Sequence, residues 1–174
     1  VAFVFKDKTH QNKDLQQLLK LNRFDAIVGA TLMLSQVSGY KTKRLLIVGL
    51  GDSSLNEKNY MKVLNSLSSA LSDAKVKNVV IADIQIDNRD ESWVQLTTAR
   101  VLKNASYQVE KVDAKEENEK HTLEAVSIYS ENNDATEINK GLAIANGMAL
   151  TRRLGDLPSN ICTPSYLAET AKSL

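Results

Sequence analysis

The 174 residues carry 22 Lys and Arg against 21 Asp and Glu, a formal net charge of +1, with 43% hydrophobic and 25% charged residues. That is the balance of an ordinary folded domain, long enough to bury roughly two-thirds of its unfolded surface, and it leaves no overall basic footprint for nucleic acid. No apolar run approaches the roughly 20 residues of a membrane-spanning helix, and the opening Val1-Ala2-Phe3-Val4-Phe5-Lys6 is too short for a signal-peptide core; the cytoplasm is the expected compartment and no membrane partner is expected.

Residues 1–5 are β-branched and aromatic and predict a strand, ended by Lys6-Asp7-Lys8. Leu15, Leu18 and Leu19 recur at i, i+3 and i+4 in a polar background, a short amphipathic helix. Residues 24–30 read equally as a helix end or a strand. Segments 31–37 and 44–49 are strand-like, and Ser38-Gly39-Tyr40-Lys41 between them predicts an antiparallel hairpin. Residues 45–50 lack polar alternation, so both faces should be covered.

Gly49-Leu50-Gly51-Asp52-Ser53-Ser54 invites a dinucleotide-binding reading, but that fingerprint needs a third glycine where Ser54 stands. A plain strand-to-helix turn is expected instead, with Ser54 and Glu57 as a capping box. The helix that follows should bury Tyr60, Val63, Leu64, Leu67 and Leu71. Residues 78–84 read as the next buried strand, completing a right-handed parallel β-α-β unit. Trp93 opens a second helix with Val94, Val101, Leu102 and Ala105 on its apolar side; 109–113 suggest a short edge strand, 115–120 a solvated loop and 123–129 another strand.

Asp134 and Glu137 form a further capping pair, and Ile138, Leu142, Ala145 and Ala149 mark the buried face of a long helix. Gly141 and Gly147 inside it each cost roughly 1 kcal/mol against alanine, and close backbone packing is the expected reason. Gly155 is the expected residue just past the helix end. Thr163-Pro164 is a start signal, a capping hydroxyl followed by a proline at the first helical position. The residues before Pro158 and Pro164 are pushed out of the helical region, so the connection should be stretched. The pattern predicts an α/β fold, one mixed, mostly parallel sheet with helices on both faces.

Candidate chemistry is sparse. His10 and His121 sit in polar, loop-like segments with no second histidine at i+3 or i+4, as a helical ligand pair would have, and read as surface histidines. Asp83, at a strand end, is the best-placed acid for a ligand crevice, although a lone strand-end Asp is more often a turn former. Cys162 forbids an internal disulfide, fits a reducing compartment and reads as a small apolar filler. The clusters Lys41-Thr42-Lys43-Arg44 and Lys75-Val76-Lys77 flank strands and read as solvated turns. No catalytic, cofactor-binding or metal-ligating set assembles, and no Gly-x-Ser-x-Gly elbow or Ser-x-x-Lys pair organised by a base appears.

Gly141-Leu142-Ala143-Ile144-Ala145-Asn146-Gly147 leading into Leu154-Gly155-Asp156-Leu157-Pro158-Ser159-Asn160-Ile161-Cys162-Thr163-Pro164-Ser165-Tyr166-Leu167-Ala168 resembles the domain junction of the leucine (cytosol) aminopeptidase family, most of all its bacterial aminopeptidase A branch. Asp156 and Ser159 depart from that pattern. Residues 45–51 and 88–93 carry a weaker resemblance. It implies a macro-domain-like N-terminal domain over 1–132, then a linker helix and the start of a catalytic domain over 133–174. The chain, which lacks an initiator Met, then reads as a trimmed piece of a longer protein. The resemblance further implies that the catalytic residues and two divalent metal ions, Mn or Zn, belong to the C-terminal domain, so none can be assigned here. That domain and a homo-hexamer would be the partners, and peptides the substrates of a leucyl aminopeptidase. Two other functions stay open: a nucleotide- or ADP-ribose-binding module using residues 49–54, and a DNA-binding accessory role.

Overall fold

The computed structural model describes residues 1–6, 12–52, 54–82, 84–107, 109, 123–129 and 134–174. In chain order these form β1 (Ala2–Val4), α1 (Lys13–Leu21), β2 (Thr31–Ser35), β3 (Arg44–Gly49), α2 (Glu57–Asp73), β4 (Asn78–Ile81), α3 (Glu91–Ala105), β5 (Ala125–Ile128), α4 (Thr136–Asp156) and α5 (Pro164–Lys172). The α/β class is as expected.

β3 is the centre of the first sheet. Its run of apolar residues pairs in parallel with β1 and antiparallel with β2, placing Ile47 opposite both Ala2 and Leu32. Alternate β3 side chains enter two different cores, and this is why the run carries no polar alternation. Leu45 and Ile47 pack with Leu15 and Leu19 of α1; Leu46 and Val48 pack with Tyr60, Val63, Leu64 and Leu67 of α2. Helices thus cover both faces, and the α2 stripe is buried at every predicted position. Burial of side chains of this size contributes roughly 1.5–3 kcal/mol each.

The ladders group into two sheets rather than one. β4 pairs in parallel with β5, not with β3, and the Val1 ammonium donating to the Val80 carbonyl at 2.6 Å links the two sheets at one point. Hydrophobic runs identify strands but do not encode which neighbour completes each ladder. β4 is also covered on one face only: Val79 and Ile81 are buried, whereas Val80 is 54% exposed.

Several local expectations are corrected. The α2 cap is Asn56, whose side chain accepts from the Asn59 N–H at 2.9 Å. Leu55, nearly fully buried, draws the chain into the core before the helix begins, and Glu57 turns instead to Arg89 at 2.6 Å. α4 follows Ala135; Asp134 accepts from the Thr136 N–H and hydroxyl, while Glu137 pairs with Lys140. Gly155 lies inside α4, which ends at Leu157 in an extended conformation, φ −69° and ψ 135°. Pro158, by forbidding helical geometry to its predecessor, ends the helix later than the glycine signal suggested.

Part of the buried surface of α3 escaped the apolar pattern. Gln95, Thr97, Thr98 and Ala99 are buried and Ala105 is exposed, because α3 is covered both by the α2 side of the core and by α4. The Thr98 hydroxyl donates to the Val94 carbonyl at 2.6 Å and meets the Tyr60 hydroxyl at 2.5 Å, keeping these polar groups satisfied. Gly141 is buried against α3, where an added Cβ would overlap the Leu96 carbonyl oxygen; Gly147 has nothing within 4 Å, so close packing accounts for the first glycine and not the second. Of the suggested edge strand 109–113, Val109 is exposed and outside any strand; 110–113 and the suggested loop 115–120 lie outside the described residues.

Candidate functional site

Residues 24–30, ambiguous in sequence, are irregular and lie along the end of β3. The Gly49 N–H donates to the Ala30 carbonyl at 2.8 Å, Leu50 to Val4 at 2.9 Å, and Gly51 to Ala26 at 2.8 Å. A phosphate cradle needs such N–H groups free and converging, and here all three are committed to neighbouring backbone. The glycines have a packing role instead. A Cβ at Gly49 would overlap the Ile27 carbonyl oxygen, and Gly51, at φ +84°, would carry its Cβ 2.6 Å from a Val28 methyl. The backbone therefore offers no nucleotide cradle at 49–51, and Ser54, with Ser53 outside the described residues, does not cap the following helix.

His10, His121 and Asp83 lie outside the described residues. Among the described residues no group of three or more His, Cys, Asp and Glu could hold a metal ion, and no helix is long and apolar enough to cross a membrane. Cys162 is half-buried, in the connection between α4 and α5.

That connection is not stretched throughout. Leu157 and Thr163, the residues preceding the prolines, are extended as expected, but the chain between them turns back, with the Ile161 and Cys162 N–H groups both donating to the Pro158 carbonyl at 2.9 Å. Thr163 caps α5 by accepting from the Tyr166 N–H at 3.3 Å, with Pro164 in the first turn. α5 buries no residue, and α4 leaves Ile144 46% exposed, so the junction turns an apolar side away from the two cores.

A concavity of about 800 Å³ lies over the uncovered side of β4 and β5. Its floor includes Val80, Ser127 and Tyr129, and both basic clusters reach its edge through Lys43, Arg44, Lys75 and Lys77. They are less free than solvated turns would be: Arg44 donates to the Ala74 carbonyl at 2.8 Å and Lys77 pairs with Glu124 at 2.9 Å. No spacing in the sequence signals that these two clusters, separated by the whole of α2, come together.

Comparisons with known proteins agree with the junction. Residues 5–116 match the model of the cytosol aminopeptidase family, N-terminal domain. The chain is 45% identical over 175 residues to a probable cytosol aminopeptidase of Vesicomyosocius okutanii, covering all of this chain and 36% of the relative. It is 36% identical to the corresponding protein of Azoarcus sp., covering 97% of this chain and 35% of the relative. The chain thus spans about a third of the length of the curated relatives it matches. In three dimensions it is similar to the bottromycin maturation enzyme BotP, with TM-score 0.74 and 14% identity over 99% of this chain and 35% of that one. A tomato leucine aminopeptidase mutant gives TM-score 0.65 and 24% identity over 99% and 38%; at such identities both likenesses concern the fold. By the extent of these matches, this chain belongs to the cytosol aminopeptidase family, in the part that forms its N-terminal domain.

Proposed function

We propose that this chain is the non-catalytic N-terminal domain of a cytoplasmic, metal-dependent leucyl aminopeptidase that releases N-terminal amino acids from peptides. The observation that carries the reading is the family match over 5–116 together with relatives, named as probable cytosol aminopeptidases, of which the chain spans about a third. Chemistry of this kind is assigned to the remaining two-thirds of such a protein, beyond the part that these residues match. One neighbour of the same fold is described in complex with Mn. Two divalent ions, Mn or Zn, would there polarise the scissile carbonyl and activate a water.

The part played by these residues is positional. α4 is clamped to α3 at Gly141, and the turn at Pro158 fixes the direction in which α5 departs. The exposed apolar residues Ile144 on α4 and Leu167 on α5 suit a surface that meets further protein, first the catalytic domain and then the other subunits of a hexamer. The test is hydrolysis of leucine amide by the full-length polypeptide. Activity should vanish with a chelator and return with Mn or Zn. Chelator-resistant activity, or cleavage by residues 1–174 alone, overturns the proposal.

A further inference from the structure

The register of β1 on β3 gives the concavity beside β4 a definite shape. Ala2 lies opposite Ile47, so Val1 comes level with Leu46, while β3 runs further back to Leu45 and Arg44. On that stretch β3 pairs with β2 along one edge, Leu34 with Leu45 and Ser35 with Arg44, and among the described residues no strand pairs with the other edge. β4 pairs with β5 along one edge, and on the other the Val80 carbonyl accepts from the Val1 nitrogen at 2.6 Å. β3 and β4 run in the same direction: Arg44, at the start of β3, donates to the Ala74 carbonyl before β4, and Leu55, after β3, accepts from the Asp87 N–H after β4. The opening residues of both strands, 43–46 and 77–80, therefore wall the groove, and Val1 lines it too.

In an extended strand the N–H and C=O of one residue point to the same edge and those of the next to the opposite edge. Lys77 accepts from Ala125 and Ile81 from Tyr129, so these two turn to the β5 side and Asn78 and Val80 turn to the groove. Just before β3, Lys43 accepts from Gln36 on the β2 side, and just after it Leu50 donates to Val4, so Arg44 and Leu46 turn to the groove as well. Two rows of strand donors and acceptors thus face each other across a gap that lies in line with β1, and such edges are templates for a further strand.

We propose that this groove takes an extended strand, and that its occupant is the polypeptide directly preceding Val1, which continues β1 between β3 and β4 and joins the two sheets into one in the order β2-β3-β1-β4-β5. Continuity with the β1–β3 ladder selects this occupant over a separate peptide, because a tethered segment enters in register and loses less freedom on ordering than a free one. About three residues, roughly 10 Å at the rise of a strand, reach from Val1 to the level of Lys43. Side-chain alternation follows. Val1, Phe3 and Phe5 pack towards the α2 core and Ala2 and Val4 into the α1 core, so the residue directly before Val1 turns to the α1 side and the one before that meets Leu71 and Val76. Peptide hydrolysis enters neither this register nor its test, so the aminopeptidase reading can fail without it.

The experiment is amide hydrogen exchange, read by mass spectrometry, on the full-length polypeptide and on a form that starts at Val1 and keeps everything after it. Peptides covering 43–48 and 77–82 should exchange about tenfold more slowly in the full-length polypeptide, the effect of closing a hydrogen-bonded ladder. Peptides from 60–71 of α2 should exchange alike in both, which shows that the shorter form is folded. Val80→Pro gives a second reading that does not need the shorter form. On an open edge it removes an N–H that no strand uses, whereas beneath an inserted strand it breaks a ladder bond. In the full-length polypeptide it should therefore speed exchange at 43–48, on the far side of the inserted strand. Equal exchange at 43–48 and 77–82 in the two folded forms overturns the proposal, whether both are open or both are closed by another part of the protein. So does a Val80→Pro variant whose 43–48 peptide exchanges as in the wild type.

Discussion

Gly141→Ala is the substitution whose outcome the α3–α4 contact dictates most directly. In an open helix the change would stabilise by about 1 kcal/mol, the difference in helix propensity. Here the new Cβ would overlap the Leu96 carbonyl oxygen and lie 3.1 Å from the Ala99 Cβ and 3.2 Å from the Arg100 nitrogen. Carbon-to-oxygen contacts settle near 3.3–3.6 Å, so the helices must part by about 1 Å. The oxygen belongs to a backbone inside α3 and cannot rotate away. Overpacking of this kind costs about 1–3 kcal/mol, and an opposing backbone argues for the upper end. Subtracting the propensity gain leaves a net loss of about 2 kcal/mol, or roughly 4–8 °C in unfolding midpoint for a chain of this size. Gly147→Ala, in the same helix with nothing within 4 Å, should instead gain about 1 kcal/mol. Thermal and urea unfolding of residues 1–174 read both. If the two variants shift in the same direction by similar amounts, α4 does not sit against α3 as described and the packing argument fails.

The cap assignment and one titration are tested as simply. Asn56→Ala should lower stability by about 1 kcal/mol by freeing the Asn59 N–H, whereas Ser54→Ala should stay within about 0.5 kcal/mol; denaturant unfolding in which only the serine variant is weakened would restore the capping box expected from sequence. The Asp134 carboxyl is held below its ordinary value of 3.8, chiefly by the Thr136 hydroxyl and then by the Thr136 N–H. A depressed folded value means that the contribution is complete above 3.8 and disappears as pH falls through the lower folded value; NMR titration should show the midpoint moving back up in Thr136→Val, and an unmoved midpoint refutes the hydroxyl's role.

The helices and strands were readable where one residue type had one task. The α2 stripe of Tyr60, Val63, Leu64, Leu67 and Leu71 is buried as a single helical face, so its period appears directly in the sequence. α3 mixes buried polar residues, Gln95, Thr97 and Thr98, with its buried apolar ones, and a polar residue that is buried by being hydrogen-bonded looks in sequence like one left in water. The end of α4 shows the same limit. A glycine and a proline both signalled termination, and local rules alone do not rank the constraint at Pro158 above the freedom of Gly155. The groove between β3 and β4 had no sequence signal because its two walls are separated in the chain by the whole of α2.

By itself the sequence determined the identity and order of the main elements and the burial of β3 on both faces, and it carried the junction motif that marks the family. Those properties rest on short-range spacing, which the chain records directly. Tertiary structure alone decided the division into two sheets, the uncovered side of β4 and β5, the commitment of the Gly49–Gly51 N–H groups to neighbouring backbone, and the packing of α4 on α3 at Gly141. Each of these depends on which distant segments occupy the same few ångströms, a consequence of packing that no local pattern of residues specifies.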